Sequence, residues 1–431
     1  MLTRNDRPSR SGVGMHIVRG TVDRLRIALY SHDTMGLGHT RRNLLIARTL
    51  AAPPTNASVL MITGIREAGA FAAPTAVDFL TLPAFSKDCG GEYRSRSLAL
   101  SAAALAQLRG ETIKAALANF APDVFIVDNV PKGALNELVP TLDYLARQGG
   151  TRCILGLRDV IDEPAVVQSQ WLQRKNFEAV REHYDAVWIY GDPAVYDTAT
   201  EYDFSSELLG KTRYTGYLDP QRPVRVPGPT SETKHLDPKG DPFVLCVLGG
   251  GQDGAGLARA FSKAKRPRNT RGLIITGPFM PDLERRWLSQ RATAAAGLTV
   301  LGFVPDPMPY MMKAQSIVAM GGYNTVSEIL SMRKRALLVP RCNPRKEQLI
   351  RAERLKAMGH IDFIRAEALT EAGISEWIGT PASDAGTKTA IDFKGLDRIP
   401  HYLADLTGFS IGRADPPPHI HVRESVSLVA V

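Results

Sequence analysis

The sequence predicts an α/β protein of two doubly wound units, each a parallel sheet covered by helices on both faces. Three observations carry that expectation. Short apolar segments of strand length alternate with helical segments along almost the whole chain. The alternation halts over residues 220–241, where Pro, Gly, Ser and charge replace any apolar period, and then resumes. The chain has 431 residues, 44% of them hydrophobic, too long for one ordinary core and sufficient to fill two.

Residues 1–24 are polar and basic and read as a flexible tail without a secretory apolar segment. Residues 25–219 make the first unit. Its strands are expected at 26–31, 59–63, 77–80, 124–128, 153–157 and 186–190, with helices after 38, over 98–120 and near 165–184. Residues 83–97 show no period and read as a long loop, a length uncommon unless functional or mobile. Residues 220–241 are the linker. Residues 242–398 make the second unit, with strands at 244–248, 273–276, 299–301, 317–320 and 336–339. Residues 399–431 form a C-terminal extension.

Composition narrows the classes. The four cysteines (Cys89, Cys153, Cys246, Cys342) are widely spaced and form no CxxC pair, which suggests a reducing, cytoplasmic interior. No run approaches the ~20 apolar residues that span a bilayer. The net charge of +9 suits phosphorylated small molecules, an anionic membrane face or nucleic acid, but no nucleic-acid module is present. The basic clusters at 263–266 and 333–335 read as solvated surface, with peripheral attraction to an anionic membrane as the second reading.

The richest stretch is Met320-Gly321-Gly322-Tyr323-Asn324-Thr325-Val326-Ser327-Glu328. A buried-type strand ends in a glycine turn that opens a helix, which offers free backbone N–H groups and about half a unit of positive charge. Phosphate fits there. Glu328, about one turn on, is placed to accept from ribose hydroxyls, or is simply a helix-start carboxylate. No Asp-x-Asp occurs anywhere, and no His/Cys/Asp/Glu spacing suggests a metal, so no metal and no cofactor are expected.

With Leu301-Gly302-Phe303-Val304-Pro305 and Leu337-Leu338-Val339-Pro340-Arg341 followed by Glu347-Gln348, this stretch resembles the donor half of a GT-B glycosyltransferase of family 28. The resemblance is to the peptidoglycan lipid-intermediate N-acetylglucosaminyltransferase type and covers residues 242–360 best. It implies two Rossmann-like domains facing across a cleft, with the C-terminal one holding a UDP-linked sugar and the N-terminal one an acceptor hydroxyl. Gly322, Tyr323, Asn324 and Thr325 would hold the diphosphate, and Phe303 and Val304 the base. Glu328 would take the ribose, and Glu347 and Gln348 the sugar. Gly250, Gly251 and Gln252 stand in a loop that resembles the family's Gly-Gly-Ser-Gln-Gly-Ala, but Gly251 replaces the serine and Asp253 is inserted.

In the first unit, Gly36-Leu37-Gly38-His39-Thr40-Arg41-Arg42 follows the first strand at the ligand-binding edge of a parallel sheet. It is GxG only, so a dinucleotide or P-loop site is poorly supported. It resembles the family's first loop, which implies that His39 is the general base and that Gly36, Gly38 and Arg41 face the acceptor. Capping a helix or touching phosphate is the other reading of His39. Asp128, at the end of the fourth strand, is placed to orient that imidazole or to cap a helix, and Arg158-Asp159 is the competing position at the same edge. Sugar transfer, hydrolysis of a UDP-sugar by an activated water, and nucleotide binding without turnover all use the same motifs.

Overall fold

A computed structural model describes residues 24–33, 38–65, 68–69, 71, 73–87, 92–221, 242–293, 296–381 and 389–410. Gly36, Cys89, the expected linker from 222 on and the chain beyond 410 lie outside those residues.

The first sheet holds β1 (Arg26–Ser31), β2 (Ser58–Thr63), β3 (Val77–Thr81), β6 (Val124–Asp128), β7 (Arg152–Arg158), β8 (Ala186–Tyr190) and β9 (Thr212–Tyr214). A two-stranded hairpin, β4 (Phe85–Lys87) and β5 (Tyr93–Ser95), stands beside it. The order is β3-β2-β1-β6-β7-β8-β9, all parallel. The second sheet holds β10 (Phe243–Val247), β11 (Arg271–Ile275), β12 (Leu298–Leu301), β13 (Ser316–Ala319), β14 (Ala336–Leu338) and β15 (Asp362–Phe363). Its order is β12-β11-β10-β13-β14-β15, again parallel.

Central strands are buried on both faces, which is why they read as unbroken apolar runs and not as alternation. Leu29 of β1 sits between Met61 and Ile126, and Leu245 of β10 between Leu273 and Ile317. In each sheet the strand order reverses beside the first strand, at β1/β6 and at β10/β13. Ligands bind beyond the carboxyl ends at such switch points.

The helices that position the site are α1 (Gly38–Ala51), α2 (Ala102–Phe120), α3 (Pro164–Gln173), α4 (Asn176–His183), α5 (Tyr323–Ser331), α6 (Glu347–Ala357) and α7 (Gly395–Thr407). The two-unit α/β architecture agrees with the sequence, while several boundaries differ. Residues 83–97, read as a loop, contain the hairpin, whose three-residue strands are too short to show a period. The helix expected from 98 starts at Ala102, because Ser101 Oγ accepts from the Ala104 amide and caps it. The helix expected over 165–184 is two, broken where Lys175 adopts φ 51°.

α7 returns to the first unit. It buries Leu396, Ile399 and Leu403, sets Tyr402 against Trp188 and donates from Arg398 Nη1 to the Thr215 carbonyl at 2.7 Å. The units also meet directly. Phe71 packs edge-on against Phe303 with centroids 6.4 Å apart, and Tyr217 stacks on Tyr323 at 5.9 Å.

Candidate active site at the interdomain cleft

At the carboxyl edge of the first sheet, β1 runs into His32 and Asp33. Asp33 Oδ2 accepts from Ser31 Oγ at 2.6 Å and Thr63 Oγ1 at 2.7 Å, which ties this turn to β2. α1 then opens at Gly38 and presents His39. Its Nδ1 lies 2.7 Å from Asp128 Oδ2, at the end of β6. A carboxylate can only accept, so Nδ1 carries a proton, and in the neutral form of the ring Nε2 keeps the lone pair.

Arg42 completes this group. It is 2% exposed and sends Nη2 to Asp128 Oδ1 at 2.6 Å and Oδ2 at 2.7 Å. Nη2 also stands 3.0 Å from His39 Nδ1, the spacing of two donors that share one carboxylate oxygen. Burial alone would raise the Asp128 pKa, but Arg42 and His39 outweigh it and hold this carboxylate well below its usual range.

One strand over, the edge is built differently. Asp159 follows β7, fully buried, and accepts from Arg351 Nη2 at 2.6 Å and Nε at 2.9 Å, Tyr217 Oη at 2.7 Å and the Val160 amide at 2.7 Å. Arg351 belongs to α6 of the second unit and donates from Nη1 to the Gly321 carbonyl at 3.2 Å. Asp159 is therefore half of a buried clamp between the units. Its neighbour Arg158 lies 4.0 Å from Glu347 Oε1. Burial pushes that guanidinium down to about 10; Glu347 opposes the shift, and Arg42, Arg345 and Arg351 add to it.

The second sheet supplies the facing edge. In the loop after β10, Gly251 has φ 90°, and a Cβ there would fall 2.1 Å from the Thr276 carbonyl oxygen. A serine does not fit, which accounts for the glycine. Gly250 accepts from the Phe279 amide at 2.9 Å, and Gln252 is exposed. The inserted Asp253 is paired with Arg341 Nη1 at 2.7 Å. Its charge is answered within the same unit.

After β13, Gly321 (φ 92°) turns the chain and Gly322 caps α5 with no side-chain bond to the first amides. Those N–H groups of Tyr323, Asn324 and Thr325 form the electropositive end of the helix. Asn324 Nδ2 reaches across to the Gly38 carbonyl at 2.8 Å, and Arg41 Nη2 bonds Glu328 Oε1. Glu328 is 3% exposed, and its Oε2 has no partner among the described residues. Burial pushes its pKa up, and Arg41 partly offsets that.

At the start of α6, Glu347 Oε1 accepts from Arg341 Nη2 at 2.9 Å, while Oε2 has no partner among the described residues. Gln348 Oε1 accepts from the Arg341 amide at 3.2 Å. Phe303 and Val304 follow β12 and are half-buried.

Gly38 and Arg41, on either side of His39, thus meet α5, with Asn324 and Glu328 as direct partners. Asp128 joins them through His39, whereas Asp159 is turned to the clamp. Sequence reasoning missed Arg42, Arg341, Arg351 and Tyr217. Arg42 carried a readable signal, since it stands three residues after His39 on one helix face. Arg351 lies four residues after Glu347, but its partner Asp159 is 192 positions away and left no trace in the pattern. Among the described residues no group of three His, Cys, Asp or Glu is arranged to hold a metal ion, and no helix is long and apolar enough to cross a membrane.

No protein-family model matches the chain. It is 25% identical over 228 residues to an uncharacterized glycosyltransferase of Methanosarcina acetivorans, a stretch that is 52% of this chain and 55% of that protein. The match therefore spans about half the relative's length. Among solved structures it is similar to CalG4, the calicheamicin glycosyltransferase, with TM-score 0.54 and 13% identity over 90% of this chain and 95% of that one. The glycotransferase of kitacinnamycin gives 0.53 at 16% identity, covering 89% and 95%. SnogD, a glycosyltransferase from Streptomyces nogalater, gives 0.51 at 14% identity with the same coverage.

Proposed function

We propose that this chain, which has the GT-B glycosyltransferase fold, moves a sugar from a nucleotide donor to an acceptor hydroxyl. One observation carries the reading. The His39–Asp128 pair, with its Nδ1–Asp128 contact of 2.7 Å, stands on the first turn of α1, and Asn324 and Glu328 of α5 bond directly to the neighbouring Gly38 and Arg41 of that turn. A base and an anion-binding helix end are thereby brought to one cleft from two units.

His39 Nε2 takes the acceptor proton as the oxygen attacks the anomeric carbon, and Asp128 stabilises the imidazolium that forms. Attack from the face opposite the leaving group inverts the anomeric centre. The first amides of α5 stabilise the departing diphosphate, where negative charge develops. We assign a UDP-linked donor, its ribose at Glu328 Oε2, its base by Phe303 and Val304, and its sugar at Glu347 Oε2 and Gln348. The loop at Gly250, Gly251 and Gln252 closes the phosphate side. Gly38, Arg41 and Arg158 border the acceptor. The reading needs no cofactor and no metal ion. Peripheral contact with an anionic membrane and a cytoplasmic location are compatible with it.

The Asp253–Arg341 pair favours catalysis over nucleotide binding without turnover, because the inserted charge is neutralised away from the α5 amides. Thermal stabilisation across a panel of nucleotide sugars tests the donor. A UDP-sugar should raise Tm, and its turnover should persist in excess EDTA. Stabilisation by no nucleotide sugar contradicts the proposal, as does activity that vanishes on chelation and returns with Mg²⁺ or Mn²⁺. Release of free sugar at a rate that acceptors do not raise would reassign His39 to a water.

A further inference from the structure

We infer that Arg42 is a positioning residue: it locks the Asp128 carboxylate against His39 and joins that pair to the first turn of α5. The inference rests on the reading of His39 as the base.

Arg42 Nη2 reaches both oxygens of Asp128, at 2.6 and 2.7 Å, and His39 Nδ1 shares Oδ2 with it at 2.7 Å. An aspartate bonded only to an imidazole can rotate about its carboxylate torsion, because that terminal torsion is broad. With Arg42 in place both oxygens are claimed, and one orientation remains. That orientation holds the proton on Nδ1 and leaves the Nε2 lone pair for a substrate proton.

The rest of the Arg42 environment ties the arrangement to the other unit. The guanidinium carbon lies 5.8 Å from the Tyr190 ring centroid and 5.2 Å from that of Tyr323, the first residue of α5. An arginine between two aromatic faces is held as a plane. Tyr323 also stacks on Tyr217, which hydrogen-bonds Asp159 of the interdomain clamp. Closure of the units therefore covers Arg42 with the residue that begins the anion-binding helix. A separation of the units would uncover it and loosen Asp128.

Arg42 also shapes the charge around the imidazole. Among the described residues, the titratable and charged groups in contact with His39 are Asp128 from β6, Arg42 from its own helix and His32 after β1, whose ring is 5.1 Å away. Asp128 favours an imidazolium, while the permanent cation of Arg42 opposes it.

The test compares Arg42→Met, Arg42→Lys and the parent by two readouts. In ¹⁵N–¹H correlation spectra of the imidazoles, assigned with a His39→Ala control, the parent should show His39 protonated at Nδ1, and Arg42→Met should show mixed tautomers. In turnover, kcat should fall by ~10–100-fold, the usual loss when a residue that orients a functional group is removed. The donor KM should stay near the parent value, and the acidic limb of the pH–rate profile should move to higher pH. Arg42→Lys keeps the charge but loses the guanidinium plane held between Tyr190 and Tyr323, so it should fold and lie between the other two. It also carries the test if Arg42→Met fails to fold. A folded variant with the parent's tautomer, kcat and pH profile overturns the inference. If the parent turns over no nucleotide sugar, the function proposed above fails, and the tautomer spectra still decide what Arg42 does.

Discussion

Asp128 and Asp159 stand at the ends of neighbouring strands of one sheet, both fully buried and both held below the usual carboxylate range against the cost of burial. Their partners separate them. Asp128 meets an imidazole and a guanidinium from the helix that follows β1, a local arrangement within the first unit. Asp159 meets Arg351 from the second unit and Tyr217 from the chain leaving the first. One carboxylate holds an imidazole whose second nitrogen it leaves uncommitted; the other has its lone pairs consumed. The lesson is that position at a ligand-binding sheet edge does not assign chemistry. The partners do.

The largest expected effect breaks this comparison at Asp128. Asp128→Asn should lower kcat by up to about 10⁴, as when the carboxylate that sets an imidazole tautomer becomes an amide. Asp159→Asn should leave the folded protein within roughly tenfold of the parent kcat, which is about 1.4 kcal/mol. Steady-state rates below the melting range check both. Equal losses at the two positions would erase the distinction drawn here.

In stability the two converge. Each change leaves a buried guanidinium without its carboxylate, which costs about 3–5 kcal/mol. Denaturant unfolding should show it for both. Asp159→Asn should also flatten the acid side of the stability curve. A carboxylate whose folded pKa is depressed adds stability above its unfolded value near 4, and loses it as pH falls through the folded one. The parent should weaken steadily below about pH 4, and the variant less so.

A smaller effect sharpens the contrast from the donor side. Glu328→Ala removes a hydrogen bond to a charged acceptor, worth about 1.5 kcal/mol or somewhat more, so the donor KM should rise roughly tenfold with kcat little changed. A donor KM that stays put would withdraw the ribose from Glu328.

Much of the fold was legible because buried parallel strands are apolar on both faces. β6 and β8 stand out as unbroken runs, and Gly321-Gly322 marks the turn into α5. The hairpin at Phe85–Lys87 was not legible, since three residues carry no period. In the candidate site, His39 and Asp128 stood at strand ends beside the switch point, and the family resemblance, not their position alone, suggested the base for His39. What Asp159 does was hidden. Its role depends on Arg351, and only the docking of two separately patterned units brings them together. Gly251 shows the same limit, because its need for no side chain comes from the Thr276 carbonyl just past the neighbouring strand β11.

The central claim is that a base on the first unit acts on a donor held by the second. His39→Ala, with donor binding and turnover measured separately on the same preparation, tests it most directly. The variant should bind the UDP-sugar as the parent does, since the proposed donor contacts lie on the second unit. Its kcat should fall by ~10²–10⁴, and the acidic limb of the pH–rate profile should disappear. If His39 only caps its helix, stability drops by about 1 kcal/mol while kcat and the limb persist, and that result would contradict the account.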